Sequence, residues 1–174
     1  MTPRPAVWLV ALVIAVADQA SKVWALHALE DGRRIDIIGD TLGLELVRNP
    51  GAALSLLDGA TWVVTLIMLA VTVGLLWFHG RAQGFLGVLV FGAALGGAIG
   101  NLGDRLFRAP SFGQGHVIDM INYNDYFTGN VADIAIVGAA TVAVLSSWFG
   151  VHLLRSKAAV GEPVALESKA APSP

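Results

Sequence analysis

Asp119 and Asp133 are the residues with the most chemistry to offer. Asp119 follows a glycine-rich loop, Gly113-Gln114-Gly115-His116, inside an apolar stretch over residues 117–121, and Asp133 stands three residues beyond Asn130 at the start of an apolar run. Two carboxylates held close together at low dielectric do not both ionise readily, so one keeps a proton. Such a pair can activate a water with one member and protonate a carbonyl with the other. Blander readings use the same residues: Asp133 as an N-terminal helix charge and Asp119 as a loop acid. A metal site would recruit His116 with both aspartates, but no metal-ligand spacing is present. Ser55 and Ser111 have no base within a recognisable motif, so a serine mechanism lacks support.

Other polar residues share the address of these two. Asp18, Gln19 and Lys22 interrupt one long apolar run, Asn101, Asp104 and Arg105 end another, and Asn130 and Asp133 begin a third. Charged or amide side chains at membrane depth are expensive, so each needs a partner, a water-filled cavity or a function. Asp18 and Lys22 are spaced i, i+4 with the acid first, which predicts a mutually neutralising helical pair that fastens its helix. Gly92, Gly96 and Gly100 repeat at i+4 and form a small-residue stripe for close helix approach. On a helix Gly97, Asn101, Asp104 and Arg105 fall on an adjoining face, so one side packs and the next should line a cavity.

The elements that position these groups follow from hydropathy. The 174 residues are 55% hydrophobic and 14% charged with a net charge of −2, and the mean hydropathy is +0.67. A single integral membrane domain over residues 1–157 is the expectation, because a soluble fold or a disordered chain would be less apolar. The charge balance argues against nucleic acid as a partner. The absence of cysteine excludes disulfides, a thiol nucleophile and Cys-type zinc sites. A bilayer-spanning helix needs about 20 apolar residues, and four candidates lie at about residues 7–29, 61–79, 84–107 and 130–154. A cleavable signal peptide is the alternative for the first, with Arg4 before its apolar run, but the apolar pattern resumes after Lys22 and three more spans follow.

Threaded antiparallel, the four spans bring every polar group to one membrane face. Lys and Arg flanking the spans divide almost evenly, and Arg4 beside the first helix places both termini inside and the polar cluster outside. Trp8, Trp24, Trp62, Trp77 and Trp148 fall near span ends, as an interfacial aromatic belt would place them. Between the first two spans Ile35 and Ile37, then Leu42, Leu44 and Leu46, alternate with polar or small residues about Gly39-Asp40. That pattern predicts a hairpin in a small extracytoplasmic β region over about residues 33–58. Residues 158–174 carry no apolar periodicity and read as a disordered cytoplasmic tail.

At these residues the chain resembles the lipoprotein signal peptidase family, also called signal peptidase II, the bacterial intramembrane aspartyl peptidases of prolipoproteins. Asp18-Gln19-Ala20-Ser21-Lys22 resembles D-Q-x-x-K, and Asn49-Pro50-Gly51-Ala52-Ala53 resembles N-x-G-A-A. Gly100-Asn101-Leu102-Gly103-Asp104-Arg105 resembles G-N-x-x-D-R. Val117-Ile118-Asp119-Met120-Ile121 is similar to the segment carrying the first catalytic aspartate, and Asn130-Val131-Ala132-Asp133 to the N-x-A-D carrying the second. Leu54, Gly129 and Ile134 depart from the family's frequent Phe, Phe and Ser.

The resemblance implies four transmembrane helices, a small extracytoplasmic β-cradle, a short helix over the site, cytoplasmic termini and residence in the bacterial inner membrane. By the same carry-over, Asp119 and Asp133 are the catalytic dyad. Asn49, Gly51, Asn101, Arg105 and Asn130 bind substrate or order the site, and Asp18, Gln19, Lys22 and Asp104 support it. No cofactor or metal is implied, and the expected partners are lipid-modified prolipoproteins and membrane lipids. A small transporter using the same buried charges is the alternative, and a structural membrane scaffold is a third.

Overall fold

The computed structural model describes residues 5–51 and 61–155. The apolar runs form four helices, each long and apolar enough to cross a bilayer: α1 (Pro5–Ala28), α2 (Thr61–Phe78), α3 (Gly84–Phe107) and α4 (Val131–Trp148). Pro5 suits a first helical turn, where its missing N–H has no partner to lose. A short 3-10 turn, His79–Arg81, joins α2 to α3. The chain is a multi-pass membrane protein.

α3 is the helix on which the others pack. An added Cβ at Gly92 would come within 2.5 Å of Val10, and at Gly96 within 2.5 Å of the Ala11 carbonyl, so the glycine stripe brings α1 against α3. Gly97 departs from the expectation of a cavity-lining face: a Cβ there would lie 2.6 Å from the Ala132 carbonyl, and the residue seats α4 instead. α4 is also shorter than expected. It ends at Trp148 rather than near residue 154, and Gly150, at φ +69°, turns the chain back. Residues 151–155 then run extended as a strap beside the start of α3, with Leu154 bridged to Ala82.

The expected hairpin is present as β1 (Ile35–Ile38) and β2 (Leu42–Asn49), with Gly39 at φ +47° in the turn. β1 is an edge strand exposed along its whole length, so its alternation does not mark a buried face. Two further strands, β3 (Val117–Tyr123) and β4 (Phe127–Gly129), complete a four-stranded antiparallel sheet in the order β1-β2-β3-β4. The pairing of β2 with β3 ties the α1–α2 connection to the α3–α4 connection, with Asn49 opposite Val117 and Val47 opposite Asp119. Beneath the sheet, Ile118 and Met120 pack on Ala25 and Leu29 at the end of α1. Ala52, Ala53, Leu54, Ser55, Lys157, the short helix over the site and the 158–174 tail lie outside the described residues.

Candidate active site

Where the sheet meets the helix ends, nearly every polar side chain singled out above converges. Asp119, on β3, is only 1% exposed. Its two oxygens accept hydrogen bonds from Asn49 Nδ2 at 2.9 Å and Asn130 Nδ2 at 2.6 Å. Burial pushes its carboxyl up to about 6, the nearby Asp133 adds to the rise, and the Asn49 and Asn130 amides oppose it. Asp133 lies in the first turn of α4. Its Oδ2 accepts from the Asn130 backbone N–H at 3.0 Å while the Asn130 side chain accepts from the Asp133 N–H at 2.9 Å, a reciprocal capping box. Its Oδ1 takes a 2.8 Å hydrogen bond from Asn101 Nδ2. The helix-cap role and the dyad role of Asp133 therefore coexist in one side chain. Asn130 and Asn101 are also bonded to each other at 3.1 Å, so an amide chain links the two carboxylates.

A second layer positions the first. Lys22 is fully buried, with Nζ 2.7 Å from Asp18 Oδ2, 2.8 Å from Asp104 Oδ2 and 2.8 Å from Asn101 Oδ1, which satisfies all three of its N–H donors. The expected Asp18–Lys22 pair is thus half of a larger network, and its two acids each hold a backbone N–H beside the dyad. Asp18 Oδ1 accepts from Ala132 N at 3.0 Å, and Asp104 Oδ2 accepts from Ile118 N at 3.2 Å. Gln19 bonds Asp104 Oδ1 and the Gly100 carbonyl. Arg108, 2.5 Å from Asp104 Oδ1 and 3.3 Å from Gln19 Oε1, balances the second acid. Arg108 stands outside the site residues that the sequence motifs suggest. Its i, i+4 spacing from Asp104 was the available signal.

Arg105 joins the sheet to the α3–β3 loop by donating from Nη1 to the carbonyls of Asn49 and Gly115, each at 3.0 Å. Its buried Nε has no hydrogen-bond partner among the described residues. Gly51, at φ +118°, occupies a backbone region that an L side chain rarely adopts, and its N–H donates to Asn49 Oδ1 at 2.8 Å. Gly115 crosses the end of α3 so closely that a Cβ would press on the Arg108 carbonyl at 2.8 Å. Of the departures from the family pattern, Ile134 is 53% exposed on the outside of α4. Gly129 lies under the Phe127 ring, where an added Cβ would be 2.8 Å from Phe127 and 3.1 Å from Asp133 Oδ2. Among the described residues, no three His, Asp or Glu side chains gather as a metal site would require.

Residues 10–149 match the family model described as signal peptidase (SPase) II. The chain belongs to the signal peptidase II family. A lipoprotein signal peptidase of Mycobacterium tuberculosis is 45% identical over 141 residues, covering 81% of this chain and 70% of that one. The lipoprotein signal peptidase of Rhodococcus jostii is 39% identical over 149 residues, covering 86% and 75%. Two solved structures, each described as a bacterial membrane enzyme, share the fold. One, at 1.9 Å, has a TM-score of 0.68 and 23% identity over 80% of this chain and 90% of its own. The other, at 2.3 Å, has a TM-score of 0.70 and 22% identity over 86% and 91%. Membership in a signal peptidase family makes the chain a peptidase and leaves the transporter and scaffold readings without support.

Proposed function

We propose that this chain is an aspartic endopeptidase that removes the signal peptide from diacylglyceryl-modified prolipoproteins, cutting just before the lipidated cysteine. The observation that carries the reading is the junction at Asn130. One asparagine caps the helix bearing Asp133 and donates to Asp119, so a strand carboxylate and a helix carboxylate are both tied to the same side chain.

With Asp119 raised to about 6, the pair passes through a singly protonated form as the pH falls toward that value, one carboxyl protonated and the other ionised. The ionised carboxylate takes a proton from a water, whose oxygen attacks the scissile carbonyl. The protonated carboxyl gives its proton to the carbonyl oxygen. The tetrahedral intermediate then collapses: its hydroxyl proton returns to the dyad, and the cysteine amine leaves with the proton taken from the water. Asn49, Gly51, Asn101, Arg105 and Asn130 order the site or contact the substrate backbone, and the unpartnered Nε of Arg105 supports that role. Asp18, Gln19, Lys22 and Asp104 support them from behind. The polar end of the bundle faces outward from the bacterial inner membrane, where the precursor's cysteine and its lipid lie near the interface, and both termini are cytoplasmic.

The purified full chain in vesicles should cleave a lipidated precursor, and Asp119→Asn or Asp133→Asn should each lower turnover by about a thousandfold or more with folding retained. The double variant should resemble the singles, because groups acting as a unit are not additive. Near wild-type turnover in either single variant refutes the dyad. For sidedness, Asp31→Cys should be labelled by an impermeant thiol reagent in intact cells and Gln83→Cys should not.

A further inference from the structure

α2 and α4 both pack on α3 and leave an apolar groove of about 580 Å³ between them. Val71 and Leu75 wall it from α2, Ile136 and Ala143 from α4, and Ala94 and Ala98 form its floor. One end comes within a helical turn of the candidate site: Ala98 lies three residues before Asn101 and Ile136 three after Asp133, each pair on one helix face. At the other end the strap closes it, contributing Val151 to Leu154 to the lining. The strap is fastened by Gln83 N donating to the Leu153 carbonyl at 2.7 Å and Arg155 N donating to the Arg81 carbonyl at 2.8 Å. Gly87 makes that seat possible, since a Cβ there would be 2.6 Å from the Leu153 carbonyl.

Resting on the peptidase reading above, we propose that this groove seats the apolar helix of the precursor's signal peptide, with the 151–155 strap as its inner stop. A precursor whose scissile bond lies at the dyad must send the chain before that bond into the membrane, and a backbone there satisfies its own hydrogen bonds only as a helix. From Asp133 to Ser147, the last α4 residue on the groove, about 1.5 Å per residue gives about 21 Å. Signal peptides carry an apolar segment of about 7–15 residues, and a helix at the upper end of that range fills this length. The alanines of the floor and of α4 let its backbone approach closely. The lipid chains leave from the other side of the scissile bond, on the cysteine, and nothing in the chain's direction leads them to the strap. The groove and strap therefore measure the distance from cut to stop.

Cleavage of lipidated precursors by the full chain in vesicles tests this. Lengthening the apolar segment by four residues adds about 6 Å, and kcat/KM should fall about tenfold or more, as displacement of a reacting bond does. Gly87→Ala, whose methyl displaces the strap at the end away from the dyad, should restore most of that loss. The chain has no cysteine, so a second measurement is clean. In an Asp119→Asn background, Ala143→Cys should form a disulfide with a cysteine midway along the apolar segment, and the lipid-facing Val137→Cys should not. Equal cross-linking at the two positions, labelling of residue 143 by a photoreactive acyl chain in place of the peptide, or the same length profile in wild type and Gly87→Ala would overturn the proposal. Absence of cleavage of any lipidated precursor would instead remove the peptidase reading itself.

Discussion

Two charge networks on this molecule each hold one cation between two aspartates. Lys22 with Asp18 and Asp104 lies among the helices with side chains at most 1% exposed. Arg34 with Asp36 and Asp125 lies on the sheet surface, its acids 58% and 75% exposed. The distances are alike, at 2.5–2.8 Å. The surroundings differ. At the surface, water competes for each charge and salt screens the pair, so the Arg34 network holds the hairpin turn lightly. Among the helices, removing one partner strands a charge where nothing replaces it. The lesson is that burial, rather than pairing, sets what an ion pair is worth, and that the buried network also holds the backbone on both sides of the dyad.

The largest expected effect is at the hub. Lys22→Met should lower stability by about 3–5 kcal/mol, measured by thermal unfolding in detergent, because two carboxylates lose their shared cation. An unfolding midpoint equal to wild type would place the network in water and erase the contrast. Next is a pair of alanines on one helix. Gly100→Ala should cost about 1–3 kcal/mol by overpacking, since its methyl would collide with the Asp18 carboxylate. Gly103→Ala, with nothing within 4 Å of the added carbon, should be neutral or stabilising.

A smaller effect appears as a pH dependence. The folded pKa of Asp119 lies above the unfolded value, at about 6 against 3.8, so the folded state binds the extra proton between them. Its contribution therefore falls as pH rises through that window. The midpoint of wild type relative to Asp119→Asn should drop from pH 4 to pH 7 and level off above, and a flat difference would show that the carboxyl is solvated. The smallest effect belongs to the surface. Arg34→Ala should leave cleavage unchanged and shift the unfolding midpoint little, with any shift vanishing at high salt.

Much of this was legible in the sequence because bilayer physics is strict. The cost of Asp18, Lys22 and Asp104 at membrane depth forced them into one cluster, and alternation about Gly39-Asp40 located the first hairpin. The second hairpin, β3–β4, was passed over because Val117–Tyr123 is buried along most of its length and reads as a plain apolar run. Asn124 and Asp125, both at positive φ, were the turn signal that separates it from Phe127. Arg108 was missed because a charge at a helix end is ordinarily solvated, and here it folds back on Asp104. The early end of α4 rests on Gly150 and on backbone bonds to Arg81 and Gln83, partners distant in sequence that hydropathy does not encode.

The capping box at Asn130 has a consequence for the timing of order. Asp133 Oδ2 is already committed to a backbone N–H, so its carboxylate cannot sample the other rotamers an exposed aspartate visits. Immobilising a side chain costs about 0.5–1.5 kcal/mol whenever it happens. Here that entropy is surrendered once, when the first turn of α4 winds, and not again at each turnover.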